Sequence, residues 1–340
     1  MFRALPLTRF SRPGQLGICA LLLGLAACNT NKPSSEDIER QREVHIDSAR
    51  AYINMGEYAR AEDQAQRGLS LVPGDIDLEL ALARSLQMQG TTAKILHAEA
   101  IYRELPRDED YRVPLGYAET LERKGLAYSE AAEAVRAGDR PVPNIEETAG
   151  KLEEQAGKAW ALSAQIFHDG LEMKPGNTEL MNGLGRVYAL MGDFEEALTW
   201  CQATLDIVQN DHQFWVKQLK RVDLTVDEEE RFRAALARLD TLEIGLRLLA
   251  ANIEVRLDDN ESAVEHLGKV IELEPTLAQA YSLRASLLME MGRYEEVVAD
   301  IDAFLGRTDL QFENEDVKRA FDMRTLAEAE LKASATAVDG

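Results

Sequence analysis

Leu184-Gly185-Arg186-Val187-Tyr188-Ala189-Leu190-Met191-Gly192-Asp193-Phe194-Glu195-Glu196-Ala197 decides the fold of this 340-residue chain. Apolar residues recur at helical spacing on both sides of Gly192, and a glycine followed by a polar and an aromatic residue interrupts them. The phrase reads as a helix, a tight turn and an antiparallel helix. Glu290-Met291-Gly292-Arg293-Tyr294 and Asn54-Met55-Gly56-Glu57-Tyr58 repeat it almost word for word. Gly90 follows Gly56 by 34 residues, Gly125 follows Gly90 by 35, and Asp258 stands in the glycine's place 34 residues before Gly292.

This period and phrase resemble the tetratricopeptide repeat. The copy from Thr178 offers Leu184-Gly185, Tyr188, Gly192, Phe194 and Ala197, and the copy from Arg42 offers Ala49, Tyr52, Gly56, Tyr58, Ala61 and Pro73. Copies from Ile76 and Tyr111 keep Ala83 and Ala118 in the close-packing slot, and those from Ile244 and Ala278 keep Ala251 and Ala285. Gly125 is read as the turn of the Tyr111 copy. A weaker unit takes its first helix from Asn144–Gly157 and its second from Trp160, Ser163, Phe167 and Gly170. Pro73, Pro175 and Pro275 end second helices, because proline lacks the N–H and collides with the preceding turn. The resemblance implies an all-α fold, a right-handed superhelical solenoid of antiparallel helix pairs, in which each hairpin completes its core only by stacking. The alternative is a generic helical-hairpin solenoid outside the family.

The first residues carry a second message. Arg3, Arg9 and Arg12 precede an apolar run from Leu16 to Leu25, which closes on Leu25-Ala26-Ala27-Cys28. A basic start, a short apolar core and small residues before a cut mark an export signal, and the core falls short of the roughly 20 residues of a spanning helix. The cysteine resembles that of the bacterial lipoprotein lipobox, which implies lipidation of Cys28 and cleavage before it. The alternative is an ordinary secretory peptide cleaved near Ala27. Asn29, in place of the aspartate tied to inner-membrane retention in enteric bacteria, points to the outer membrane with the domain in the periplasm. The chain therefore divides into a signal peptide (1–27), a tether (28–35), an N-terminal repeat block (36–209), an irregular hairpin (210–243), a C-terminal repeat pair (244–311) and a capping helix with a small polar tail (312–340).

Net charge is −22, and loss of three arginines with the signal leaves −25. So acidic a chain is repelled by nucleic acid and anionic lipid. With Cys19 discarded and Cys28 lipidated, Cys201 is alone in the folded part, at a buried helical position, so no internal disulfide forms. His45, His97, His168, His212 and His266 show no metal-binding spacing, and no catalytic group, metal or cofactor is expected. Gly183 and Gly185 lack the strand and the third glycine of a nucleotide loop and serve packing instead.

Protein binding is the expected function. Tetratricopeptide solenoids use an inner wall lined by the first helix of each unit. Projecting that pattern places Arg50, Arg84 and Arg186 at one inward slot of three units, with Asn54, Asn182 and Glu119 among the neighbours. Guanidinium groups on a concave wall would suit an acidic segment of a partner; the alternative is that each arginine pairs with nearby acids of its own surface. The resemblance implies a lipid-anchored scaffold that helps assemble or stabilise an envelope complex such as a pilus or secretion machine. An adaptor for cell-wall enzymes and a standalone peptide-binding, chaperone-like protein are the alternatives.

Overall fold

A computed structural model describes residues 34–139 and 141–338, with side chains up to 334. The signal and Cys28 lie outside the described residues. Thirteen helices follow one another among the described residues: α1 (Ser35–Asn54), α2 (Tyr58–Leu71), α3 (Ile76–Gln89), α4 (Thr92–Glu104), α5 (Arg112–Ala137), α6 (Ile145–Met173), α7 (Thr178–Met191), α8 (Phe194–Leu219), α9 (Val226–Arg256), α10 (Asn260–Leu273), α11 (Ala278–Glu290), α12 (Tyr294–Leu305) and α13 (Glu315–Val338).

Local chemistry sets the starts and stops. Ser34 accepts from the Asp37 N–H while Asp37 accepts from the Ser34 N–H, and Thr225 and Glu228 do the same before α9. Asp75, Asn144 and Asn177 cap α3, α6 and α7 through their side-chain oxygens. Each such cap is worth about 1 kcal/mol. At the turns, Gly192 has φ 85° and Gly292 φ 71°, in the left-handed region where a Cβ is penalised. Asp258 adopts φ 63° at the corresponding place, the one non-glycine among the described residues to do so.

Helices pair as α1/α2, α3/α4, α5/α6, α7/α8, α9/α10 and α11/α12, and α13 covers α12 and α11. Every helix approaches only helices one or two places away in the chain, so the stack grows in one direction. The odd-numbered helices α1, α3, α5, α7 and α9 touch in succession, whereas no two even-numbered helices do. Contact on one side and splaying on the other bends the stack, with the odd helices lining its inner wall. Between α9 and α11 that succession is broken, and α10 alone joins them.

Small residues permit the close approach. Ala49, Ala83, Ala118 and Ala285 are fully buried and Ala251 nearly so. A methyl group on Gly185 would stand 3.0 Å from Cys201 Sγ, and one on Gly183 only 2.3 Å from Phe167 Cζ. Burial pushes the Cys201 thiol up to about 12, leaving it an inert packing group.

Two expected hairpins are one. Gly125 is not a turn: it lies inside α5, buried, where an added methyl would stand 2.2 Å from Trp160 Nε1. Residues 144–157 and 160–170 likewise form the single 29-residue helix α6. No proline or capping side chain interrupts the run from Leu115 to Ala137, whereas Gly138 (φ 84°), Pro141, Pro143 and the Asn144 cap all fall at 138–144. Ser163 Oγ donates to the Ala118 carbonyl at 2.7 Å and locks the long pair. Residues 210–243 run as the end of α8, a turn and the start of α9. Between Val208 and Glu243 no residue is fully buried; Phe214 meets Trp215 edge-on at 5.0 Å between ring centres, and Trp215 meets Phe232 at a tilt at 5.1 Å. α13 continues past Ser334 because nothing in Ser-Ala-Thr-Ala-Val stops it.

The two turn types make opposite predictions. Gly192→Val should lower the urea midpoint, a cost of about 1 kcal/mol or more. Asp258→Gly relieves a strained φ without losing a hydrogen bond, and should raise that midpoint by up to about 1 kcal/mol.

Candidate partner-binding trench

The inner wall holds a chain of three adjoining cavities. The first, about 390 Å³, is floored by Ile53, Leu80, Leu115 and Tyr102 and walled by Arg50, Arg84, Glu119, Asn182 and Arg186. A second of about 350 Å³ shares Arg84, Glu119 and Arg186 with it and adds Glu122, Arg123 and Leu126. A third of about 510 Å³ shares Glu122, Leu126 and Arg186, and reaches Leu249, Ile253 and Arg256 on α9. The shared walls make one trench from α1 to α9.

Five of the residues expected on the inner wall thus come together: Arg50, Arg84, Arg186, Asn182 and Glu119. Asn54 sits exposed in the last turn of α1, outside the cavities. The three arginines already hold carboxylates, each across a helix boundary. Arg50 Nη2 reaches Asp77 Oδ1 on α3 at 2.8 Å, and Arg112 Nη1 reaches the same oxygen from α5 at 2.8 Å. Arg84 on α3 pairs with Glu119 on α5. Arg186 on α7 forms two parallel bonds to Glu122 on α5, both 2.8 Å. Burial works against the Arg186 charge, but the Glu122 bonds and charge outweigh it and raise its pKa. A bidentate pair fixes orientation as well as distance. These pairs clamp neighbouring inner helices, while the Asn182 side chain makes no hydrogen bond among the described residues and remains available. The acids Asp77 and Glu122 are additions to the wall expected from the sequence. A signal for the first lies in the 35-residue offset of Asp77 from Arg112.

A second polar cluster lies between α9 and α10. Arg247 Nη2 donates to Glu243 Oε1 at 2.6 Å, Arg247 Nη1 lies 3.4 Å from His266 Nδ1, and His266 Nε2 lies 3.3 Å from Glu254 Oε1. Glu254 Oε2 is buried without a partner. Burial, followed by the charges of Asp259 and Glu265, pushes Glu254 up to about 7. Burial first, then Arg247, pulls His266 below its ordinary value. Among the described residues no three His, Cys, Asp or Glu side chains gather to hold a metal.

Residues 153–221 match the sequence model of the tetratricopeptide repeat. The DnaJ homolog subfamily C member 3 of Gallus gallus is 26% identical over 149 residues, which span 38% of this chain and only 30% of that protein. Pseudomonas aeruginosa pilF shares 14% identity and a TM-score of 0.48 over 83% of this chain and 97% of its own. A thermophilic tetratricopeptide protein of Thermus thermophilus shares 16% and 0.45 over 73% and 98%. Among the described residues the helices form an all-α solenoid of antiparallel hairpins, and the matched stretch falls within it. No helix of the described residues is long and apolar enough to cross a membrane.

The α9–α10 cluster predicts a pH dependence. A carboxyl whose folded pKa is raised stabilises the fold fully below its unfolded value near 4.5, and that contribution is lost as pH rises through about 7. The depressed His266 acts oppositely, its contribution being lost as pH falls below the ordinary histidine range. Glu254→Gln should therefore remove the decline between about pH 4.5 and pH 7 and raise stability at pH 8 by roughly 2 kcal/mol, read from urea midpoints at pH 5, 7 and 8.

Proposed function

We propose that the protein is a lipid-anchored scaffold of the outer membrane whose periplasmic solenoid holds a segment of a partner protein along its inner trench. Its role is to assist assembly or stability of an envelope complex such as a pilus or secretion machine. The observation that carries this is the trench itself: it is continuous over five inner helices, apolar on its floor, and clamped open by ion pairs that recur from unit to unit. Arg50, Arg84, Arg186, Asn182 and Glu119 line it, with Asn54 at its α1 end. The anchor rests on Leu25-Ala26-Ala27-Cys28 alone. Two or three acyl chains there would hold the domain at a membrane without help from its acidic surface.

Two measurements test the parts separately. Cys28→Ser should leave unprocessed precursor and abolish fatty-acid labelling; normal labelling would end the claim of an anchor. A photo-crosslinking amino acid at Asn182, in the trench, should give adducts with envelope-complex components in intact cells, while one at the exposed Gln202 of α8 should not. Adducts with wall hydrolases would favour the adaptor role, and a diffuse set of unfolded peptides the chaperone-like one. Equal adducts from both positions would remove the trench as the working surface.

A further inference from the structure

Six arginines line the trench, and they divide into two sets. Arg50, Arg84, Arg112 and Arg186 meet carboxylates of neighbouring helices. Arg123 and Arg256 meet none among the described residues. Arg123 Nη2 has only Met88 Sδ, at 3.5 Å, and the guanidinium of Arg256 stands exposed at the end of α9 without an ion pair or hydrogen bond. The cavities they line are neighbours that share Glu122, Leu126 and Arg186. Together these two cavities present four guanidiniums and two carboxylates, and both carboxylates are already consumed by Arg84 and Arg186. In a chain of net charge −22 this is a local excess of positive charge.

The larger of these two cavities has an apolar floor. Leu126 of α5, Leu190 of α7, Phe194 of α8, and Leu249 and Ile253 of α9 form its floor. Arg123 is half-buried, where a carboxylate is bonded more strongly than in open water, and Arg256 stands exposed at the rim of the apolar floor. We infer that the α5–α7–α9 end of the trench is an anchoring subsite for an internal peptide segment carrying a large apolar side chain next to an acidic one. The apolar side chain fills the floor, and Arg256 and Arg123 hold the carboxylate. The segment is internal because the trench continues past the subsite towards α1, and on the other side α11 does not close against α9. A bound chain has room to leave in both directions. This inference rests on the trench being the binding surface, and assigns anion recognition to Arg123 and Arg256 instead of the prepaired Arg50, Arg84 and Arg186.

The test uses a library of random heptapeptides, each flanked on both sides by Gly-Ser spacers and displayed on phage, selected against the full chain. Enriched peptides should carry Leu, Met or Phe within four residues of Asp or Glu. One such peptide, synthesised with both ends blocked, should lose affinity roughly tenfold on Arg256→Gln and again on Arg123→Gln. Salt should weaken it further. Arg256→Glu should reverse the selection towards Lys and Arg beside the apolar residue, an outcome that altered folding would not produce; helicity and melting temperature are recorded for each variant. No enrichment, enrichment without acids, or enrichment indifferent to both substitutions would overturn the subsite. So would selection of peptides that bind only through a free terminal carboxylate. Asn182 crosslinks persisting in that case would leave the trench itself standing, whereas their absence would remove both.

Discussion

The close approach of helices at small residues is the constraint on which the structure depends. A hairpin such as α3/α4 buries one stripe internally and leaves another bare. Only when the next hairpin comes within contact distance is that second stripe covered, and Ala49, Ala83, Ala118, Gly185, Ala251 and Ala285 are buried between the packed helices. A larger side chain at any of these would push two helices apart along their whole length, so the penalty extends beyond one residue. The aromatics answer the glycines: Tyr102 closes over Gly116, Trp160 over Gly125 and Phe167 over Gly183. Each of these contacts joins an even helix to an odd one of the same or the next hairpin, and so couples the two layers of the stack.

The bend of the stack follows from where the contacts lie. Odd helices touch their successors and even helices do not, which places the odd helices on the inside of the curve. Arg–carboxylate pairs then bridge α1 to α3, α3 to α5 and α5 to α7, fixing the spacing of the inner wall. Removing one arginine would leave a carboxylate such as Glu122, only 11% exposed, without its partner. The acidic excess of the chain therefore lies mainly outside the trench, and the trench keeps a near balance of charge with a positive surplus at the α9 end. In the proposed role, that distribution gives a partner's acidic segment a place to bind while the remaining surface repels it.

Much of this is legible in the sequence. The phrase around Gly192 and its copies marks the hairpins, and Asp258 holds the glycine's place in the period, where its positive φ bears out the reading. The Gly183 and Gly185 packing role and the buried Cys201 follow from their helical positions. Helix length is what escapes. Gly125 matches the period of the turns, yet a glycine inside a helix costs only about 1 kcal/mol, less than the burial of Trp160 and Phe167 returns. Periodicity does not separate these cases, and the cluster of Gly138, Pro141, Pro143 and Asn144 is the stronger stop signal. The arginine slots come from the period alone. Their acidic partners lie 27 to 64 residues away on neighbouring helices, and only the stacking register brings them together.

The central claim is that the hairpins stack in one direction into an elongated, curved solenoid with its inner wall open. Small-angle X-ray scattering of residues 36–340 measures this directly. A compact chain of that length would have a radius of gyration of about 19 Å. The stack predicts a clearly larger value and a pair-distance distribution with a long tail. A radius near the compact value with a symmetric distribution would contradict both the solenoid and its trench.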